Sequence, residues 1–297
     1  MTRASEPSGV LVIDKPAGRT SHQVVGRCRR LLGTRKVGHA GTLDPMATGV
    51  LVVGVGRATR LLGQLTFTDK AYDATIRLGQ TTITDDAEGE LTGSLGATDL
   101  DDEAIEAAIA RLRGPIEQVP SSVSAIKVDG VRSYARVRSG EEVALKARPV
   151  TVSRFEALGR RDSIAGDGTE VVDLEVVVEC SSGTYVRALA RDLGAALGVG
   201  GHLTSLRRTR VGPFTLAEAQ DLDGPDLTVT PIGEVARRCF ASLDLTGEQA
   251  TDVRYGRRLH DTPLPAELTA VFAPDGEFLA LYRPAGADAV PEAVFVG

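Results

Sequence analysis

The sequence predicts a mixed α/β (α+β) fold, in which helices flank a largely antiparallel central sheet, with a small β-rich domain at the C-terminal end. Extended segments outnumber helical ones, and they follow one another in hairpin and strand–helix order. No strict strand–helix–strand repeat occurs, which argues against a parallel sheet. A chain of 297 residues is long enough for one large and one small domain.

The first strand and helix have clear boundaries. Residues 9–16, GVLVIDKP, predict a short strand that ends at Pro16. Thr20 or Ser21 is a candidate N-cap of the helix that follows, and Gly33 is a suitable end. The helix is indicated by apolar residues at helical spacing, which are Val24, Val25, Cys28, Leu31 and Leu32.

A glycine-rich loop follows this helix. Residues 38–49, GHAGTLDPMATG, contain three glycines and a single carboxylate, Asp44. Asp-Pro is common turn chemistry, so a purely structural role for Asp44 is one interpretation. The other is that the carboxylate is a nucleophile toward an electrophilic carbon, on a loop whose glycines let a ligand approach closely. The sequence next predicts a strand at residues 49–56 and a short helix at residues 57–65.

The remaining elements follow from local patterns. The strands are indicated by alternation or apolar runs, and Asp129-Gly130 between two extended arms indicates a hairpin. One helix opens with acidic residues, which its N-terminus favours, and another has an apolar face. We predict strands at 70–79, 171–180 and 202–214, and helices at 99–114 and 183–198.

The composition shifts near Pro225. Past Thr246, short apolar runs alternate with turns, including the hairpin signal Asp275-Gly276. We therefore predict a larger domain, a linker and a small β-rich domain, at residues 1–225, 226–245 and 246–297.

The net charge of −6 is unevenly distributed. Residues 15–43 carry seven Lys and Arg and no acid, whereas residues 78–110 carry nine acids and no Lys or Arg. From Val211 onward there are six basic and fourteen acidic residues, so the negative balance lies in the tail. The basic segment fits a phosphate-binding face, because its field is local, or simply a solvated helix face.

Several kinds of site lack support in the sequence. No apolar run approaches the ~20 residues of a membrane span, and the first nine residues lack a signal-peptide core. The three widely spaced cysteines fit a reducing cytoplasm and exclude a thiolate zinc site. A metal on His39 and Asp44 would need a third ligand that is not evident, and no P-loop, dinucleotide or GxSxG motif occurs. We expect no metal, no nucleotide cofactor and no membrane.

Five segments, in this order, resemble the bacterial TruB-type tRNA pseudouridine synthases. Together they extend over residues 9–214, and the tail past Thr246 resembles, more weakly, a small PUA-type RNA-binding domain. The first two segments read GVLVIDKPAGRTSHQVV and KVGHAGTLDPMATGVLVVGVGRATR. The others are residues 70–89, 119–138 and 180–214.

The resemblance implies the pseudouridine-synthase catalytic fold for residues 1–225 and a PUA-like domain at the C-terminal end. It implies an isomerase that converts uridine to pseudouridine at position 55 of the tRNA T loop, without a cofactor. Asp44 would be the nucleophile, Arg187 would pair with it and orient it, and Tyr72 would stack on the base or transfer a proton. The implied enzyme is a cytoplasmic monomer whose partner is the T-stem-loop of tRNA.

Other positions would bind the RNA. Tyr185 and Leu206 would line the uracil pocket, His39 would fill the gap left by the flipped base, and Lys15 would support the site or contact phosphate. Without the resemblance, Tyr185 and Leu206 fit ordinary core packing. An insertion around residues 115–150 would grip the RNA backbone through Arg132, Arg136 and Arg138.

Two alternative functions stay open at this point. A non-catalytic tRNA-binding or tRNA-folding chaperone with the same fold would not need Asp44 paired with Arg187. A metal-dependent hydrolase using His39 and Asp44 would need a third ligand.

Overall fold

The computed structural model describes most of the chain as two sheets, two short hairpins and the helices around them. Within the described residues there are an 11-stranded sheet and a four-stranded sheet. No described helix has the length and apolar character needed to cross a bilayer. The structure describes residues 8–66, 68–121, 127–128, 131–132, 145–224 and 226–296.

The strands fall into two groups along the chain, before and after residue 145. Those before residue 145 are β1 (Gly9–Lys15), β2 (Val37–Ala40), β3 (Thr48–Val55), β4 (Lys70–Leu78), β5 (Gln80–Thr82), β6 (Leu91–Ser94), β7 (Gly114–Gln118), β8 (Lys127–Val128) and β9 (Val131–Arg132). Those after it are β10 (Arg148–Ile164), β11 (Glu170–Cys180), β12 (Gly201–Val211), β13 (Phe214–Thr215), β14 (Gln220–Asp221), β15 (Thr230–Pro231), β16 (Ala241–Asp244), β17 (Thr269–Phe272), β18 (Phe278–Ala285) and β19 (Asp288–Val294).

The four helical segments that the sequence predicts before residue 200 are present, within a few residues at their ends. Two further helices, Ile232–Cys239 and Gly247–Arg254, lie where we predict a linker and a β-rich domain, and they were not predicted from the sequence. Thr20 caps the first helix through a capping box with Gln23, and Gly33 ends it with a left-handed φ of 62°. Two 3₁₀ turns are Gly56–Arg60 and Leu216–Glu218. The α-helices are α1 (Ser21–Leu32), α2 (Leu62–Leu65), α3 (Asp102–Ala110), α4 (Val186–Ala196), α5 (Ile232–Cys239) and α6 (Gly247–Arg254).

The large sheet is mostly antiparallel, as predicted. Its main order is β14-β1-β3-β12-β4-β11-β10-β7, and the parallel pairs are β1 with β14 and β3 with β12. At the second of these pairs Gly49 lies beside Arg208, with a φ of 97°. A Cβ atom on Gly49 would collide with the backbone of Arg208, so this close approach requires glycine.

The cores lie on both faces of this sheet. One cluster packs β4, β11 and β12 against α3 and α4, and it includes Tyr72 and Leu206. A second joins β1 and β3 to α5 and to the four-stranded sheet, through residues such as Phe272 and Phe278. Two of the predicted base-binding residues, Tyr72 and Leu206, therefore belong to the core cluster on the central strands.

The C-terminal part forms a four-stranded sheet in the order β16-β17-β18-β19. Within residues 226–245, for which we predict a linker, β15 pairs with β1 and β16 pairs with β17. This segment thus contacts both sheets, and the domain boundaries stay a prediction. The strands β8 and β9, on either side of the hairpin predicted at Asp129-Gly130, pair antiparallel; Asp129 and Gly130 themselves lie outside the described residues.

Candidate active site

The loop that carries Asp44 joins β2 to β3, and hydrogen bonds to Lys15, Gly18 and Ser21 hold it in place. The backbone N–H of Leu43 donates to Ser21 Oγ at 2.9 Å, and Ser21 Oγ donates to the Leu43 carbonyl at 3.0 Å. Beyond Asp44, the Pro45 carbonyl accepts from the Gly18 N–H at 2.8 Å and from Lys15 Nζ at 3.1 Å. The backbone on both sides of Asp44 is therefore held, which fixes the direction of its side chain.

Arg187 lies in the first turn of α4 and binds the Asp44 carboxylate with two nitrogens. Its Nε lies 3.0 Å from Asp44 Oδ2, and its Nη2 donates to Oδ1 at 3.4 Å. Nη1 donates to the Thr84 carbonyl at 2.7 Å and lies 3.4 Å from Asp86 Oδ2. One buried guanidinium thus joins two carboxylates, and its planar fork fixes the orientation of Asp44.

The electrostatics of Asp44 reflect opposing effects. Its side chain is 35% exposed, at the surface of a pocket, while Arg187 is 5% exposed. Loss of hydration raises the pKa of the Asp44 carboxyl above its ordinary value, and the charge of Asp86 adds to this effect. Arg187 and Lys15 oppose it, so the anion that a nucleophile requires depends on these cations.

Asp44 opens into a pocket of about 310 Å³, within the size range of small-ligand sites. Five of the residues that the sequence singled out line it. These are Asp44, Tyr72, Tyr185, Arg187 and Leu206.

Two of these residues come from neighbouring central strands. Tyr72 in β4 is 6% exposed and Leu206 in β12 is 7% exposed, and both strands present these side chains to the pocket. Burial raises the pKa of the Tyr72 phenol, so its hydroxyl is protonated at neutral pH. The two side chains supply one aromatic and one aliphatic surface next to Asp44.

Hydrogen bonds to its backbone hold Tyr185 in place. It is the N-cap residue of α4, and the buried Gln118 side chain binds both its N–H, at 2.8 Å, and its carbonyl, at 3.1 Å. The guanidinium of Arg148 lies over the Tyr185 ring, 4.6 Å from its centroid. Tyr185 is therefore a fixed wall of the pocket.

The sequence reasoning missed three cations that line the same pocket, Lys70, Arg148 and Arg208. Arg208 is 1% exposed, and it donates to the carbonyls of Val50 and Gly41 at 2.7 and 3.1 Å. Lys70 donates to two carbonyls of the segment 66–68, and burial lowers its pKa to about 8. Period-two alternation was an available signal, since Lys70 shares a strand face with Tyr72, and Arg208 with Leu206.

The structure does not bring every predicted residue to the pocket. Lys15 is buried below the loop, where its Nζ donates to three carbonyls, and burial lowers its pKa to about 8. His39 lies in β2 and does not line the pocket; its Nδ1 is buried without a partner among the described residues, and burial lowers its pKa. Arg132 belongs to β9. Arg136 and Arg138 lie outside the described residues.

Among the side chains that the structure describes, no group of three or more His, Cys, Asp and Glu could hold a metal ion.

Comparison with known families covers most of the chain. Residues 29–186 match the TruB family pseudouridylate synthase N-terminal domain. Residues 187–225 match the tRNA pseudouridylate synthase B C-terminal domain, and residues 240–296 match the C-terminal domain of tRNA pseudouridine synthase II.

Similar proteins carry consistent names. The tRNA pseudouridine synthase B of Cutibacterium acnes is 62% identical over 93% of this chain and 93% of its own length. That of Nocardia farcinica is 59% identical over 99% of this chain and 95% of its own length. Among solved structures, an H/ACA RNP bound to a substrate RNA containing 2′-deoxyuridine has a chain with a TM-score of 0.71 and 25% identity, covering 97% of this chain and 85% of that one.

Proposed function

This chain belongs to the TruB family of pseudouridylate synthases, and we propose that it isomerises uridine to pseudouridine in tRNA, at position 55 of the T loop. The observation that carries this proposal is the Asp44 carboxylate, bound by two nitrogens of Arg187 beside a pocket with aromatic walls. A relative at 62% identity that is named tRNA pseudouridine synthase B supports the choice of substrate.

In the proposed reaction, Asp44 is the nucleophile. Attack at the sugar C1′ or at the base C6 are both compatible with a carboxylate at this place. Asp44 forms a bond to that carbon, the bond from N1 to C1′ breaks, the uracil rotates within the pocket, and C5 forms a new bond to C1′. The bond to Asp44 is then broken, either because C5 displaces the carboxylate from C1′ or because the carboxylate leaves C6, and the free carboxylate is restored. The C5 proton is released and N1 gains a proton, so no atom is lost and no co-reactant is consumed. Arg187 orients the carboxylate and favours its charged form.

The pocket walls would hold the uracil during this rotation. Flipping a nucleotide out of a folded loop costs a few kcal/mol, which the site must offset. Stacking on an aromatic ring contributes about 1–3 kcal/mol per base, and Tyr72 and Tyr185 both line the pocket. Leu206 adds an apolar surface. The phenol of Tyr72 is a candidate for proton transfer, because it is buried and protonated.

The RNA backbone would lie against the basic surface near this pocket. Residues 15–43 carry seven Lys and Arg, and Arg27 and Arg30 of α1 line a second, open cavity with Arg19 and His22. One acid, Asp223, also lines this cavity and pairs with Arg19 and Arg27, so the cationic side chains outnumber it. Four further residues are proposed RNA contacts, namely His39, Arg132, Arg136 and Arg138. We propose that the T-stem-loop is the partner and that a monomer in the cytoplasm acts on it, consistent with three free thiols.

The substitution Asp44→Asn tests the reaction. Asn keeps the size of the side chain and suits the same turn, but it is not an anionic nucleophile. We expect release of tritium from C5 of uridine in a T-stem-loop to stop, with affinity for the RNA within about threefold, since phosphate contacts dominate affinity. A folded variant that binds the RNA and still forms pseudouridine would overturn the assignment of Asp44.

The same assay separates the alternatives. A chaperone without catalytic activity would release no tritium in the wild-type protein. A metal-dependent hydrolase would lose activity in EDTA and regain it with zinc or manganese. We expect turnover of a stem-loop that needs no magnesium to survive EDTA.

A further inference from the structure

Arg148 differs from the other cations of the pocket, because its donors are not in use. Its Nε and Nη2 are buried, and neither has a hydrogen-bond partner among the residues that the structure describes. A buried donor without a partner is rare in folded proteins, and a charged one is especially costly. Such a group calls for an acceptor that is supplied from outside the chain.

The neighbouring cations have partners. Arg187 binds two carboxylates and the Thr84 carbonyl, Arg208 binds backbone carbonyls, and Lys70 binds two more. Each of them already has donors bound to acceptors inside the protein. Nε and Nη2 of Arg148 have no such bond among the described residues, so among the described pocket cations Arg148 is the one whose fork is uncommitted.

The position of Arg148 is also fixed. It is the first residue of β10 and lies opposite Gln118 of β7, the residue that holds the Tyr185 backbone. The proline that follows, Pro149, restricts Arg148 to an extended backbone. Its guanidinium rests on the Tyr185 ring, and Arg148 lines the pocket, so strand pairing, proline and ring together fix its position beside the proposed uracil site.

We propose that Arg148 binds a phosphodiester that flanks the flipped uridine, a proposal that rests on the function given above. A guanidinium fork matches the oxygens of a phosphate group, and the charge of a phosphodiester suits a cation that has no anionic partner among the described residues. Tyr185 would then have two roles, as a wall for the uracil and as a support for the residue that holds the backbone of the same nucleotide.

A cycle that changes both the protein and the RNA tests this contact. Binding is measured for wild type and Arg148→Met, on a T-stem-loop with natural linkages and on two others with a neutral methylphosphonate on the 5′ or the 3′ side of the target uridine. We expect Arg148→Met alone, or the methylphosphonate at the contacted phosphate alone, to weaken binding about 10- to 100-fold, as for a charge-assisted bond. Both changes together should cost little more than one.

Additional readouts separate this contact from a structural role. Arg148→Met should reduce the slope of log K against log salt by about 0.7–0.9, the value for one phosphate. Arg161→Met is the matched control: Arg161 lies on the same strand, is 76% exposed and pairs with Asp173, so its loss should not couple to either linkage. Melting temperatures accompany each variant, and Arg148→Gln replaces Arg148→Met in the cycle if that protein does not fold.

The outcomes are distinct. Coupling to one linkage supports the proposal and identifies the phosphate. Purely additive effects at both linkages overturn it, even if Arg148→Met is less stable or less active. Failure of the wild-type protein to form pseudouridine in the natural stem-loop contradicts the proposed function instead, and the binding cycle is measured independently of it.

Discussion

Replacement of Arg187 by lysine should slow the reaction far more than it weakens binding. The guanidinium of Arg187 contacts both oxygens of Asp44 while Nη1 binds the Thr84 carbonyl and lies 3.4 Å from Asp86. A lysine ammonium keeps the charge, but its donors radiate from one atom and cannot reproduce the fork. The carboxylate would lose at least one charge-assisted hydrogen bond and its fixed orientation.

The magnitude follows from these contacts. A hydrogen bond to a charged group contributes about 1.5–3 kcal/mol, and about 1.4 kcal/mol corresponds to tenfold in rate. Because Asp44 is 35% exposed, water replaces part of what is lost. We therefore expect the single-turnover rate to fall about 10- to 100-fold, with RNA affinity within about threefold, because no phosphate contact is assigned to Arg187.

The assay is tritium release from C5 at saturating enzyme, with RNA affinity and melting temperature measured for each protein. Arg161→Lys is the control, because it changes an arginine that pairs with a carboxylate, Asp173, outside the pocket. A folded Arg187→Lys enzyme that retains the wild-type rate would refute the positioning role. Equal losses in affinity and rate would show that Arg187 acts on binding.

Two further predictions concern the neighbours of this pair. The charge of Asp86 raises the pKa of Asp44, so Asp86→Asn should lower that pKa and move the acid limb of the pH–rate profile to lower pH; a move to higher pH would contradict this reasoning. Gly49→Ala should lower the free energy of unfolding by about 2–4 kcal/mol, because a Cβ at this positive φ would also collide with the backbone of Arg208. An unchanged midpoint of urea unfolding would contradict this prediction.

Local signals in the sequence predicted the first four helical segments and several strands, but they did not predict α5, α6 or the long strand β10. Thr20, the apolar stripe of α1 and Gly33 define that helix through interactions within a few residues, and the structure has the same boundaries. The signal for a hairpin at Asp129-Gly130 is local in the same sense, and the strands β8 and β9 on either side of it pair antiparallel. The predicted fold class is confirmed for this reason: it depends on the number and order of elements.

The order of strands in the sheet depends on distant parts of the chain. Strand β3 lies beside β12, and Gly49 beside Arg208, although the two residues are far apart in sequence. Nothing near Arg208 in the sequence indicates that it binds the carbonyls of Gly41 and Val50. The same limitation applies to Arg148, whose unused donors become visible only when the neighbouring strands are in place.

The cations of the pocket explain how an acidic chain can hold an anionic substrate. The chain has a net charge of −6, yet the described lining of the pocket contains one carboxylate, Asp44, and four cations, Lys70, Arg148, Arg187 and Arg208. Arg208 and Lys70 donate to carbonyls, which are dipoles and leave the positive charge in place. That local excess attracts a phosphate backbone. Asp44 sits inside it, which opposes the loss of hydration that would otherwise protonate the proposed nucleophile. A single carboxylate is therefore sufficient for this chemistry only because the strands and α4 bring the cations around it.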